Sequence, residues 1–176
     1  MRTIRTPISD EIIASLKVGD MITLSGFIYT GRDAVLPKVV KMIKDGSIRH
    51  TDIDLQGGVI FHTAVSPAGV GPTSSNKAEI EGSFQGLSEG GIKLHLGKGQ
   101  IGEETIKMLD RYNAVYAVIP PVTALLCDRT LEQKVVAFPE EGMEALHLLR
   151  VDQYPCIIAA AHGRSIYDEE TGTNVG

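Results

Sequence analysis

The sequence predicts an α/β fold, in which helices pack against a mixed sheet as a three-layer β/β/α or α/β sandwich. Three observations lead there. Segments of two-residue apolar alternation interleave with segments of helical spacing, and extra strands stand near both ends of the chain. Hydrophobic residues make up 43% of the 176 residues while aromatics make up 5% and tryptophan is absent, which describes a core of Ile, Val, Leu and Ala. No internal repeat, low-complexity tract or long linker divides the chain, so one domain over residues 1–176 is expected.

The elements follow in order. Ser9 is placed to cap a short helix, Asp10 to Leu16, with apolar residues at 12, 13 and 16. Val18-Gly19-Asp20 ends it, and Met21 to Tyr29, rich in Ile, Thr, Phe and Tyr, reads as a strand. Asp33 is the expected N-cap of a helix to about Lys44, with Pro37 in the first turn, where a missing N–H is tolerated. Val35, Val39, Val40 and Ile43 give that helix its buried stripe, and Asp45-Gly46 ends it. Gly58 to Ala64 reads as a strand, Ser66 to Pro72 as a loop, and Asn76 to Leu87 as a weak helix burdened by Gly82 and Gly86. Ile92 to Leu96 is a short strand, and Glu103 to Tyr112 a helix with acidic residues in its first turn. Ala114 to Ile119 is a strand stopped by Pro120-Pro121, and Val122 to Cys127 a helical turn or two. Lys134 to Phe138, Leu146 to Val151 and Cys156 to Ala161 read as strands, and residues 167–176 as a frayed tail.

Composition excludes several functions. The formal charge is −5 and there is no basic run, so nucleic acid is not an expected partner. The longest apolar runs are about six residues, as at Cys156 to Ala161, against the roughly 20 that a membrane span needs. The start MRTIRTPISDE has no apolar leader core, so a cytoplasmic location is expected. Cys127 and Cys156 both lie in apolar segments and read as reduced, buried thiols. Two thiols are too few for an iron–sulfur cluster, and no metal-ligand spacing stands out.

Three stretches carry the candidate chemistry: TGRDA at 30–34, GPTSSNK at 71–77 and LGKGQ at 96–100. Each lies at a strand exit or before a helix, where backbone N–H groups favour an anion. Arg32 can grip a carboxylate with two parallel hydrogen bonds. Lys77 and Lys98 add positive charge, and Thr73, Ser74 and Ser75 are three consecutive hydroxyls. Gly97 and Gly99 beside Lys98 allow close backbone approach. Converged, these groups make a pocket for a small di- or tricarboxylate or a phosphate. Taken singly they also read as a surface Arg32–Asp33 ion pair, a helix cap at 73–75 and an exposed turn lysine. GKG is not a phosphate-binding P-loop, because the upstream glycine and following Ser/Thr are missing. Spacing alone leaves the function open.

In combination, LSGFIYTGRDA at 24–34, GPTSS at 71–75, LGKGQ at 96–100 and EEGMEAL at 140–146 resemble the β subunit of class I, iron–sulfur fumarate hydratases. They resemble equally the β subunit of L(+)-tartrate dehydratases. The similarity runs from TPIS and LKVGD near the start to VDQYPCIIAAAHG at 151–163. It implies a swivelling β/β/α domain and a hydro-lyase whose [4Fe–4S] cluster is held by a partner α subunit, with none bound by this chain. It implies a dicarboxylate bound between the two subunits, fumarate first and tartrate second, and no activity for this chain alone. Arg32 would hold one carboxylate and Lys98 the other. Thr73 would touch substrate and is the candidate for proton transfer at carbon; Ser74 and Lys77 would assist binding, and Asp33 would orient Arg32. A non-catalytic anion-binding or assembly module of the same fold is the reading from another class. An apolar patch for the partner is expected, with self-association of the isolated chain through it.

The sequence departs from the family pattern in three places. Leu36 stands where TGRDAAH has its histidine, and Lys77 where GPTTSGR has its arginine. Pro120-Pro121-Val122-Thr123 replaces a Gly/Ala-rich segment. Lysine keeps the charge at 77 but loses bidentate geometry.

Overall fold

The structure, a computed structural model, describes residues 1–66, 69–73, 81–120 and 123–168, as backbone only at 69–73, 123 and 124. Its strands are β1 (Arg2–Arg5), β2 (Met21–Thr30), β3 (Gly58–Phe61), β4 (Thr63–Ser66), β5 (Gly69–Thr73), β6 (Ile92–Gly97), β7 (Val115–Val118), β8 (Thr130–Ala137), β9 (Leu146–Ala161) and β10 (Arg164–Ser165). The helices are α1 (Asp10–Ser15), α2 (Leu36–Asp45), α3 (Phe84–Glu89), α4 (Glu103–Arg111) and α5 (Thr123–Asp128).

The sheet is mixed, as expected, but it closes. β1, β2, β3, β6 and β7 run parallel in that order. β9 pairs antiparallel with β7 on one side and with β2 on the other, which shuts the sheet into a barrel-like ring. Strand alternation then sorts the core. Ile22, Leu24, Ile28, Val59, Phe61, Leu94, Leu96, Val115, Ala117, Leu149, Val151 and Ile158 fill the interior. Tyr29, Ile60, Ile92 and Leu146 point outward and pack with Val35, Leu36 and Val39 around α2. Tyr116, Ala159 and Ala160 pack outward with Phe84 and with Ile106 and Leu109 of α4. Gly26, at φ +113, sits at the irregularity between Leu24 and Gly26 where β2 slips against β9. The extra residue is on β9, where the three steps from Tyr154 to Val151 face the two from Leu24 to Gly26, and it keeps Val151 and Leu149 facing inward beyond it.

Local sequence explains most elements. Ser9 caps α1 by accepting from Ile12 N. α2 ends at Gly46 in the left-handed conformation, a common helix stop. Several expectations are corrected. β1 was not expected. The strand foreseen over 58–64 divides at His62, after which Thr63 leaves the main sheet to begin a two-stranded sheet with β5. Gly69–Thr73 is therefore strand, not loop; among the described residues β5 is paired on one side only, where a proline is tolerated. Leu146 to Ala161 is one strand, continuous through Pro155, which pairs with Thr23. The weak helix foreseen from 76 is seen as α3, and 74–80 lie outside the described residues. Asp33 does not cap α2: the N-cap is Val35 with no side-chain hydrogen bond, and the Arg32 carbonyl accepts from the N–H groups of Val35 (3.0 Å) and Leu36 (2.9 Å) instead. In the stretch read as a tail, Asp168 accepts from Ser165 N at 3.0 Å, while 169–176 lie outside the described residues.

Candidate functional site

The parallel strands all finish at one edge of the barrel. Thr30 is paired with Phe61, Phe61 with Leu96 and Leu96 with Ala117. Bonds continue one residue further: Gly31 N donates to Phe61 O (3.1 Å) and His62 N to Leu96 O (3.0 Å). Arg32 and Lys98 each come two residues past Thr30 and Leu96, beyond the ends of β2 and β6, and Thr63, two past Phe61, has left the main sheet. Thr63 pairs in turn with Thr73. With strands about 4.8 Å apart, Thr30 and Leu96 stand on either side of Phe61, about 10 Å apart at the backbone, and Arg32 and Lys98 follow them in the chain. Open carboxyl ends of parallel strands are where α/β folds bind small ligands. The ends of β2, β3 and β6, after which Arg32, Thr63 and Lys98 come, therefore share one edge, and the Thr63–Thr73 pair belongs to the small sheet that follows β3. Ser74 and Lys77, and the side chain of Thr73, lie outside the described residues.

Arg32 is half-buried, and its Nε is covered and has no hydrogen-bond partner among the described residues. Asp33 makes no ion pair with it among the described residues. Leu36 is buried and packs in the α2 core; a Cβ on Gly31 would come within 2.8 Å of its Cδ2. The third family departure lies between β7 and α5, partly outside the described residues. Lys98 is exposed, on a turn where Gly99 takes φ +79. That turn is tied down from below: the Tyr116 hydroxyl donates to Gly99 O at 3.0 Å. A Cβ on Gly97 would meet the same hydroxyl at 2.9 Å, so glycine there lets the phenol through.

Behind the mouth, the outer face carries an aromatic stack. The rings of Phe84 and His95 lie 4.3 Å apart and those of His62 and Phe84 4.9 Å apart. Burial pushes the His62 imidazole down to about 3 and His95 well below the usual histidine value, with His62 adding to the second shift. Both rings are neutral. Ser88 Oγ lies 2.9 Å from His95 Nε2. The buried side-chain polar atoms without partners among the described residues are Thr30 Oγ1, Arg32 Nε, His62 Nε2 and His95 Nδ1. Thr30 ends β2 and Arg32 lies just past it, while His62 follows β3 and His95 lies in β6, the two histidines on the outer face with Phe84. Unpaired buried polar atoms are rare in folded proteins. Sequence reasoning names neither Thr30 nor His62 as a site residue; no local spacing signals either.

A cavity of about 670 Å³ opens at the opposite edge, lined by Lys17, His162 and Arg164 among others. It is remote from Arg32 and Lys98.

The family model described as fumarase C-terminus matches residues 2–170. The chain belongs to the fumarase C-terminus family. It is 33% identical over 172 residues to a Methanocaldococcus jannaschii protein provisionally named an L(+)-tartrate dehydratase β subunit, covering 89% of this chain and 86% of that one. It is 30% identical over 182 residues to the L(+)-tartrate dehydratase β subunit of Escherichia coli K12, covering 96% and 87%. It is also 30% identical over 182 residues to a Geobacillus stearothermophilus protein provisionally named a class I fumarate hydratase. That match covers 95% of this chain but only 34% of the longer protein, so the chain spans about a third of that relative. Membership of this fumarase C-terminus family rests on nearly the whole sequence, not on the three motifs alone.

Proposed function

We propose that this chain is the β-type subunit of an iron–sulfur-dependent hydro-lyase that reversibly hydrates fumarate to malate. It supplies carboxylate-binding residues to a site completed by an α subunit in the cytoplasm, and is inactive alone. The observation that carries the proposal is the strand register, which sets Arg32 and Lys98 on flanking strand ends with the Thr63–Thr73 pair between them. Relatives named tartrate dehydratase β subunit favour L(+)-tartrate as the second substrate. The swivelling three-layer arrangement belongs to the same proposal.

Proton transfer at a carbon beside a carboxylate gathers negative charge on the carboxylate oxygens. Arg32 and Lys98 are cations fixed where that charge develops, and they stabilise it without reorganising. Arg32 takes one carboxylate and Lys98 the other; Ser74 and Lys77 add donors. Thr73 is the candidate for the proton transfer. A threonine hydroxyl is a weak base, so it acts only with help from these cations or from a partner carboxylate.

The family's cluster requires thiolate donors, and this chain's thiols do not fit it. Cys156 lies in the barrel core, where burial pushes its thiol up to about 12. Cys127, half-buried on α5, is the only other cysteine. The [4Fe–4S] cluster is accordingly assigned to the α subunit. Partner contact is favoured by exposed Val135 and Met143, which flank the start of β9 near Thr30.

The test is anaerobic co-expression with an iron–sulfur α partner, followed by assays with fumarate, L-malate and L-tartrate. Turnover by the complex and none by the isolated chain is expected. A loaded complex that turns over none of the three overturns the proposal.

A further inference from the structure

The outer strand β8 presents a free edge that is both regular and exposed. Among the described residues β8 pairs only with β9, and no backbone group of residues 131–136 bonds outside that ladder. Glu132 to Val135 run in unbroken register against Arg150 to His147. Residues 131–135 are all exposed, Leu131 at 50% and Val135 at 45%. An open edge of this kind is a template for another strand.

The side chains along that edge complement themselves. Glu132 and Lys134 flank Gln133, and Leu131 and Val135 flank those in turn. An antiparallel copy of the same strand, centred on Gln133, sets Glu132 opposite Lys134 of the second copy and Leu131 opposite Val135 of the second copy. Direct partners in such a pair bring their Cβ atoms to about 4.5–5.5 Å, within reach of ion pairing and apolar contact. Both charges have capacity left. Lys134 makes no ion pair among the described residues, and Glu132 engages only Oε1, with Arg150 at 3.0 Å. Across the join, Arg150, Glu132 and Lys134 of the second copy alternate in sign. Other registers lose this match. A shift of one residue sets Leu131 against Lys134 or Glu132 against Val135, and a shift of two sets Glu132 against Glu132 or Lys134 against Lys134.

We propose that two copies of this chain associate through β8, strand against strand about a two-fold axis at Gln133, so that the sheets of two barrels join. The contact is isologous, and each interaction occurs twice. Main-chain hydrogen bonds supply the affinity, and the Glu132–Lys134 and Leu131–Val135 pairs supply the register. Reversing the strand points the two strand-end sites in opposite directions. Val135 stands opposite His147, the ladder partner of Thr30, so the site lies beyond the 135 end of β8 in each copy. Met143 and the site edge stay open to an α subunit, and Val135 borders both contacts.

The experiment measures the mass of the full chain by light scattering at concentrations up to about 0.5 mM, where even a weak pair associates. The mass is expected to rise from 18.9 kDa towards twice that value. Lys134→Glu and Glu132→Lys each set like charges opposite one another and keep the chain monomeric, while an equimolar mixture of the two variants restores the dimer. Gln133→Cys, at the axis, crosslinks to its own copy under mild oxidation, and Lys41→Cys on the exposed face of α2 does not. Denaturant midpoints near wild type show that each variant folds. A chain that stays monomeric throughout overturns the proposal and leaves the β8 edge to the α subunit or to solvent. A dimer that survives both single substitutions, or a mixture no more dimeric than its parts, overturns it as well, because the copies then meet elsewhere.

Discussion

The phenol of Tyr116 on β7 donates to the carbonyl of Gly99, at 3.0 Å, and so holds the turn that carries Lys98. Burial raises the Tyr116 pKa, which keeps the hydroxyl protonated and able to donate. Tyr116→Phe leaves the ring packed against Phe84 and removes only the tether. The expected result is a stability loss of about 1 kcal/mol in urea unfolding and a KM for dicarboxylate raised a few-fold, about 3–5 times, with kcat little changed. An unchanged KM contradicts the role of the tether.

The His62 and His95 pair makes stability depend on pH. Both are held neutral, with His62 shifted from 6.5 to about 3 and His95 also lowered by burial. In the unfolded chain they bind protons near pH 6.5, so below that the unfolded state carries more protons than the folded one. Stability is therefore complete above about pH 6.5 and falls as the pH drops toward 3, by up to about 1.4 kcal/mol per pH unit per histidine. Denaturant midpoints measured from pH 7.5 to 4.5 test this, and His62→Phe flattens the slope below pH 6.5. A wild-type midpoint constant over that range contradicts it.

Helix packing behind the site rests on a missing side chain. Gly86 of α3 lies against Val40 of α2, and a Cβ there would come within 2.8 Å of Val40 Cγ2. Gly86→Ala is expected to cost about 1–3 kcal/mol by overpacking. Gly82, with nothing within 4 Å of its Cβ direction, is the control, and Gly82→Ala leaves the unfolding midpoint within about 0.5 kcal/mol of wild type. Equal effects of the two substitutions contradict the close helix contact.

Much of the fold was legible because it is written locally. β2, β6, α2 and α4 follow from alternation, helical stripes and Gly46, and Ser9 caps α1 as its chemistry suggests. What was not legible depends on residues far apart in the chain. The barrel closure needs β9 to pair with both β2 and β7, and the break at His62 arises only because Thr63 finds Thr73. Arg32 and Lys98 were named as candidates from their glycine-flanked motifs, and the register has them follow flanking strand ends. Asp33 misled because a cap signal beside Arg32 yields to the Arg32 carbonyl and a Val35 N-cap.

The central claim is that Arg32 fixes a substrate carboxylate at the strand-end mouth, and Arg32→Ala in the reconstituted complex tests it most directly. Loss of a charge-assisted, bidentate contact that strengthens in the transition state predicts kcat/KM lowered by about a hundredfold or more, with the complex still assembled and its unfolding midpoint near wild type. Turnover of any accepted dicarboxylate at close to the wild-type rate contradicts the account.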